Sequence, residues 1–182
     1  PLAGTVKEFV QMIQEQNVTT IIDLTNTHDR ENRLIPDYAR KADYGFQSSD
    51  KTSAQLQEAG IQKRELKTAS AHAVSYLNFT NWPDKGVIEL GQLKGLVAAI
   101  GQEHGGKGGG FAIHCTAGVG RTGTVYAALE LDRLAKSGDL TQDNFAEKVL
   151  DVVAEGRKAR GFAFVQAPGQ LNLLFDFAKT LV

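Results

Sequence analysis

The chain has 182 residues, 42% hydrophobic and 23% charged, with a formal net charge of −1. That length suits one domain with a sizeable core, and the near-neutral balance gives no electrostatic reason to expect nucleic acid or an acidic membrane as partner. No apolar run approaches a membrane span and no signal-peptide layout opens the chain. A single cysteine excludes an internal disulfide and suits a reducing, cytoplasmic setting. The four histidines are scattered, so no metal or cofactor is expected.

Val6, Phe9, Val10 and Ile13 lie on one face of a short amphipathic helix that Asn17 ends. Residues 19–25, Thr-Thr-Ile-Ile-Asp-Leu-Thr, read as a buried strand. Residues 26–50 are charged and turn-rich and read as loop, with a short strand near Tyr44-Gly45-Phe46. Ala73–Phe79 alternates in part and reads as a further strand. Leu93, Leu96, Val97 and Ile100 repeat at helical spacing and predict a helix over 90–103, closed by the run Gly105 to Gly110. That run is a connector by composition rather than a phosphate loop, since no helix follows it. Phe111-Ala112-Ile113 is a strand, and Val125, Ala128, Leu129 and Leu131 mark the helix after it. Ser137-Gly138-Asp139 breaks the chain, and Thr141 is expected to cap a helix whose inner face is Phe145, Val149, Leu150 and Val153. Gly161 to Pro168 is an apolar loop. From Gln170 a terminal helix is expected to turn Leu171, Leu174, Phe175 and Ala178 inward. Strands alternating with helices predict an α/β fold, a twisted mixed sheet flanked by helices.

The stretch His114-Cys115-Thr116-Ala117-Gly118-Val119-Gly120-Arg121-Thr122-Gly123 carries the chemistry. A strand feeds a glycine-containing loop that runs into a helix N-terminus, which makes a cradle for an anion. The only cysteine sits at its start, where the positive potential favours the nucleophilic thiolate. Arg121 follows with a planar fork suited to two oxygens of a phosphate. Together these point to covalent phosphoryl transfer to sulfur. A lone buried cysteine beside a tightly packed turn is the plainer reading of the same residues. A nucleotide-binding P-loop is excluded, because its pattern needs a lysine where Arg121 stands.

Transfer from an ester also needs an acid. Asn81-Trp82-Pro83-Asp84-Lys85-Gly86 follows a predicted strand and joins an aromatic anchor, a carboxyl and a glycine hinge, which fits a mobile lid as well as an ordinary turn.

The loop matches the His-Cys-x5-Arg-Ser/Thr motif and resembles the cysteine-dependent protein tyrosine phosphatases. Trp82-Pro83-Asp84 resembles that family's acid loop, and Phe164-Val165-Gln166-Ala167-Pro168-Gly169-Gln170 its glutamine loop. The stretch from Phe9 to Tyr38 is similar to the family's early helix and strand. The resemblance implies Cys115 as nucleophile, Arg121 and residues Thr116, Ala117, Gly118, Val119 and Gly120 as phosphate binders, and Asp84 as acid and then base. It implies Gln166 and Gln170 at the attacking water and substrate, and Thr122 donating to the leaving thiolate. His114 and Trp82 would support the loops, and Asp29 would steady the arginine.

Departures include Thr116 where the family has Ser, Lys85 where it has His, and Leu171 where it has an aromatic residue. The longer gap from Arg160 to Gln166, with Leu171, is similar to secreted bacterial effectors of the family, which implies host cytosol as an alternative location. The family's phosphotyrosine-recognition loop should precede the first helix, yet the sequence starts at Pro1. The expectation is therefore one catalytic domain over 1–182 that lacks this segment, or one walled by another element such as Tyr38 or Tyr44. A monomer acting on phosphotyrosyl proteins is the leading expectation. An inositol-polyphosphate phosphatase and a non-catalytic phosphotyrosine-binding domain are the alternatives.

Overall fold

Val18–Asp23 (β1) lies between two parallel neighbours, Ala73–Phe79 (β4) and Gly110–His114 (β5). Five of its six residues are buried, as befits a strand covered on both faces. Ile61–Thr68 (β3) and Phe46–Asp50 (β2) continue the sheet antiparallel, giving the order β2-β3-β4-β1-β5. The computed structural model describes residues 1–33, 35–83 and 85–182, the side chains of Arg33 and Ala42 excepted.

The chain divides into two compact units. The first, Pro1–Asn81 with Ala99–Thr116, holds the whole sheet. Val6 and Ile13 of the first helix, Val6–Glu15 (α1), pack with Ile21, Leu66, Val74 and Tyr76, and Phe9 and Val10 join them from the same face. Asn17 leaves α1 in the left-handed region at φ 48°, a conformation Asn tolerates better than most residues. The second unit, Trp82–Ala98 with Ala117–Val182, is helical. Its helices are Gly120–Ser137 (α5), Phe145–Arg160 (α6) and Pro168–Lys179 (α7). Buried Val125, Ala128 and Leu131 of α5, Val149 and Val153 of α6, and Leu174 and Ala178 of α7 form its core. The helix Leu90–His104 (α4) begins in this unit and ends in the first. No helix among the described residues is long and apolar enough to cross a membrane.

Several expectations need correction. Residues 26–50 hold more regular structure than expected: Thr27–Arg33 is a helix (α2), and the short strand expected near 44–46 runs over Phe46–Asp50 as the edge strand β2. The helix has no apolar stripe to announce it. It starts on a reciprocal cap, in which Asn26 Oδ1 accepts from the Asp29 N–H at 2.9 Å and Asp29 Oδ2 accepts from the Asn26 N–H at 3.0 Å. In β2 only Phe46 is buried, so period-2 alternation is missing. The strand β3 and the short helix Ala54–Glu58 (α3) were not expected either. Charged Lys63, Arg64, Glu65 and Lys67 hide the strand pattern of β3.

Thr141 does not cap α6. Its own N–H donates to Asn144 Oδ1 at 2.8 Å, and the helix starts at Phe145. Leu150 is exposed rather than inward, and the buried face of α7 runs through Leu173, Leu174, Phe177 and Ala178 instead of Leu171 and Phe175.

Candidate active site

Cys115 follows the last residue of β5 and is buried, 8% exposed. Parallel pairing sets its height. Asp23 stands opposite His114 in the register, and the Leu24 N–H donates to the His114 carbonyl at 2.8 Å. The His114 side chain shares a 2.6 Å hydrogen bond with the Tyr38 hydroxyl. Phe9 and Tyr38 pack around its ring. Burial holds the His114 imidazole below its ordinary pKa, against the opposing pull of Asp23. Tyr38 is fully buried, so it supports the loop from beneath and cannot wall a pocket.

Beneath His114 lies a polar cluster that the sequence reading missed. Asp23 is fully buried and accepts from the Thr25 N–H at 2.8 Å, the Thr25 hydroxyl at 2.6 Å and the Tyr76 hydroxyl at 2.6 Å. Arg30 Nη2 donates to it at 2.8 Å. Burial alone would raise the Asp23 pKa. The nearby His114 and Arg30, with the hydrogen bonds from Thr25 and Tyr76, outweigh that and hold it below the ordinary value. An aspartate directly after Ile21 and Ile22 in a strand read as buried was the available signal, since a buried charge needs partners.

Asp29, also fully buried, accepts the Thr116 hydroxyl through Oδ1 at 2.8 Å. The capping carboxylate of α2 thus also fixes the residue after the cysteine.

The second unit carries the rest of the motif. Gly118 turns the loop with φ 73°, a conformation that disfavours any side chain. The loop then enters α5 at Gly120. Arg121 lies in the first turn, 2% exposed, and its Nη1 donates to the Trp82 carbonyl at 3.3 Å. Trp82 is fully buried, and its indole N–H donates to the Gly86 carbonyl at 3.0 Å. The Gly86 N–H returns to the Pro83 carbonyl at 3.0 Å. These bonds fold 82–86 into a turn with Trp82 as its anchor. Asp84, the expected acid, lies outside the described residues.

Gln170 is fully buried at the start of α7. Its amide accepts from the Ala167 N–H at 3.2 Å and donates to the Gly86 carbonyl at 3.1 Å, so it ties the tryptophan turn to the glutamine loop. Gln166 is exposed. A methyl added at Gly120 would lie 3.3 Å from both Gln166 Cβ and Gln170 Oε1. The Val119 carbonyl accepts from the Gly123 N–H at 2.9 Å and the Val165 N–H at 3.3 Å. Val165 is left-handed at φ 56°, an uncommon state for a β-branched residue that this close backbone approach imposes. Thr122 Oγ1 is buried without a hydrogen-bond partner among the described residues, which leaves one hydroxyl at the helix start unspent.

A sequence profile of the protein-tyrosine phosphatase family matches residues 1–178. The chain belongs to that family.

Among curated relatives, it is 32% identical over 152 residues to receptor-type tyrosine-protein phosphatase S of Gallus gallus, covering 76% of this chain and 10% of that protein. It is 32% identical over 149 residues to the human receptor-type eta enzyme, covering 74% and 10%. The chain thus spans about a tenth of the length of these tyrosine-phosphatase relatives. Among solved structures, the fold is similar to PTPN18 in complex with HER2 phosphopeptides, with TM-score 0.82, 21% identity, and coverage of 100% of this chain and 64% of that one. It is also similar to a Trypanosoma brucei protein tyrosine phosphatase, with TM-score 0.78, 24% identity, and coverage of 99% and 66%. These matches establish a tyrosine-phosphatase fold, and the mixed sheet agrees with the sequence expectation.

Proposed function

We propose that residues 1–182 form one catalytic domain that hydrolyses phosphotyrosine in proteins. The observation that carries the reading is the backbone of 114–123: a strand end, a left-handed glycine turn, and a helix start with a buried arginine in its first turn. Family membership and the likeness to PTPN18 with HER2 phosphopeptides support the same substrate class.

In the first step Cys115 Sγ attacks phosphorus, an S–P bond forms, and the bond from phosphorus to the tyrosyl oxygen breaks as Asp84 protonates that oxygen. Arg121 and the loop amides of Thr116 to Gly120 take the equatorial oxygens, where transition-state charge gathers. In the second step water attacks phosphorus, Asp84 takes its proton, and inorganic phosphate leaves. Gln166 orients the water, and the Thr122 hydroxyl donates to the departing sulfur. Its unspent state suits that task. His114, Trp82 and Asp29 support the loops. Gln170 bonds the tryptophan turn, so its share is to position the acid loop as well as substrate. A monomer in a reducing compartment, bacterial host cytosol included, suits a lone essential thiol.

Cys115→Ser is expected to abolish turnover of a phosphotyrosyl peptide and of p-nitrophenyl phosphate while retaining peptide binding. Wild-type chain that binds the peptide without turning it over would mark a binding domain. Preference for inositol hexakisphosphate over the peptide would overturn the substrate class.

A further inference from the structure

The end of α6 and the loop after it form a surface that the reaction does not use. Arg160, the last residue of α6, lies over the phosphate loop: a methyl added at Gly118 would sit 3.2 Å from Arg160 Nη2. Two residues later stands Phe162, 91% exposed, and two residues of chain span at most about 7 Å. Exposed apolar residues scattered singly need no explanation. Phe162 is not single. With Leu150, itself 53% exposed, and with Val153 and Leu171 it lines a groove of about 550 Å³.

The rim of that groove is basic. Arg157 and Lys158 line it, and Arg160 follows them in the same helical turn. The Arg157 Nε donates to the Phe164 carbonyl at 3.2 Å, which fixes its stem and leaves the guanidinium end outward on an exposed residue. Glu155 pairs with Lys158 at 2.5 Å and Asp151 acts on the same lysine, so the positive charge of the rim rests on Arg157 and Arg160. An apolar trough edged with positive charge, two residues of chain from an arginine that reaches the phosphate-binding loop, is shaped for a peptide that is apolar and acidic by turns.

Resting on the phosphatase reading, we infer that this groove binds the segment flanking the phosphotyrosine of the substrate. An acidic side chain close to the phosphotyrosine meets Arg160, and a larger apolar side chain further along enters the trough between Phe162 and Leu150. The surface selects sequence context and takes no part in bond breaking.

Four phosphotyrosyl peptides test it, with the flanking acid and the flanking apolar residue each present or replaced by serine. The peptide with both is expected to show kcat/KM about tenfold or more above the peptide with neither, the lower end of what an apolar pocket contact gives. Phe162→Ser and Leu150→Ser should remove the apolar part of that preference and leave p-nitrophenyl phosphate turnover unchanged. Arg160→Glu should turn the acidic preference into a basic one. The same peptides carrying a non-hydrolysable phosphonate give the preference by binding alone. Preferential binding without any turnover keeps the groove and sinks the catalytic reading. Turnover of p-nitrophenyl phosphate with all four peptides treated alike overturns the groove. So does a Phe162→Ser chain that changes its sedimentation while keeping the full peptide preference, since the trough would then be a contact between copies of the chain.

Discussion

The two units hold their parts of the motif by opposite means. Under Cys115 the support is polar: Asp23, Arg30, Tyr76 and Thr25 form a buried hydrogen-bonded cluster, with His114 and Tyr38 above it. Around Arg121 the support is close backbone approach, with Gly120 and Gly123 of α5 against the glutamine loop, and Gly156 of α6 against the Phe164 ring. A charge network can titrate and fails when one member is removed. A backbone contact is indifferent to pH and fails when one methyl is added. The first arrangement holds the end of the strand that precedes the sulfur, and the second governs where Arg121 stands against the glutamine loop.

The largest effect is expected at Asp23. Asp23→Asn removes the 2.8 Å partner of the largely buried Arg30 and leaves it the longer 3.9 Å pair with Asp37, which should cost about 3 kcal/mol of unfolding free energy, the lower end for breaking a buried pair. Glu103→Gln, which breaks the half-exposed pair with Lys63 and Lys107, should cost about 1 kcal/mol or less. Denaturant midpoints check both, and equal losses would break the contrast between buried and surface charge. The pH response follows with its sign. His114 has a lowered pKa in the folded chain, so the unfolded chain binds more protons there, and stability falls as pH drops below the ordinary histidine value. Asp23 also has a lowered pKa. Its contribution is complete above the ordinary carboxylate value and is lost as pH falls through the folded one. Acid should therefore act in two stages, and Asp23→Asn should erase the lower one.

Next in size is Gly123→Ala. The new methyl would lie 2.7 Å from the Val165 backbone nitrogen and 3.1 Å from a Phe164 ring carbon, so the backbone must move. Overpacking of this kind costs about 1–3 kcal/mol. The loss should be the same at pH 5 and pH 8. A loss that varied with pH would mean that the two supports are not separable.

The parts legible in the sequence were those where one pattern had one cause. The loop 114–123 had a fixed order of residue types, and α1, α4 and α5 had apolar stripes at helical spacing. The turn after Trp82 was legible through the order Pro83, Asp84 and Gly86, and bonds from Trp82 and Gly86 account for it. What escaped depended on tertiary partners. Asp23 was the one charged residue in a strand of threonines and aliphatics, and nothing local announced that Arg30 and Tyr76 would satisfy it. The helix α2 has a polar sequence and rests on a cap between Asn26 and Asp29, which composition scored as turn. Spacing alone treats Gln166 and Gln170 alike. Gln170 turned out to carry the buried bonds, because burial of an amide is set by the packing of α7 and not by spacing.

The smallest effect is expected at Thr116, where the first unit's polar logic reaches the loop itself. Its hydroxyl donates to Asp29 Oδ1, while Asp29 Oδ2 is occupied by the cap of α2. Thr116→Ser keeps the donor and should leave stability unchanged. Thr116→Ala removes it and should cost about 1 kcal/mol, the usual net worth of one such bond. A double-mutant cycle with Asp29→Asn separates the bond from the cap, because the asparagine keeps an oxygen for the Asn26 N–H. A coupling of about 1 kcal/mol, with a matching fall in kcat/KM for p-nitrophenyl phosphate, makes the carboxylate a brace for the phosphate loop. Zero coupling would reduce Asp29 to a helix cap and confine the polar support to Asp23 and its partners.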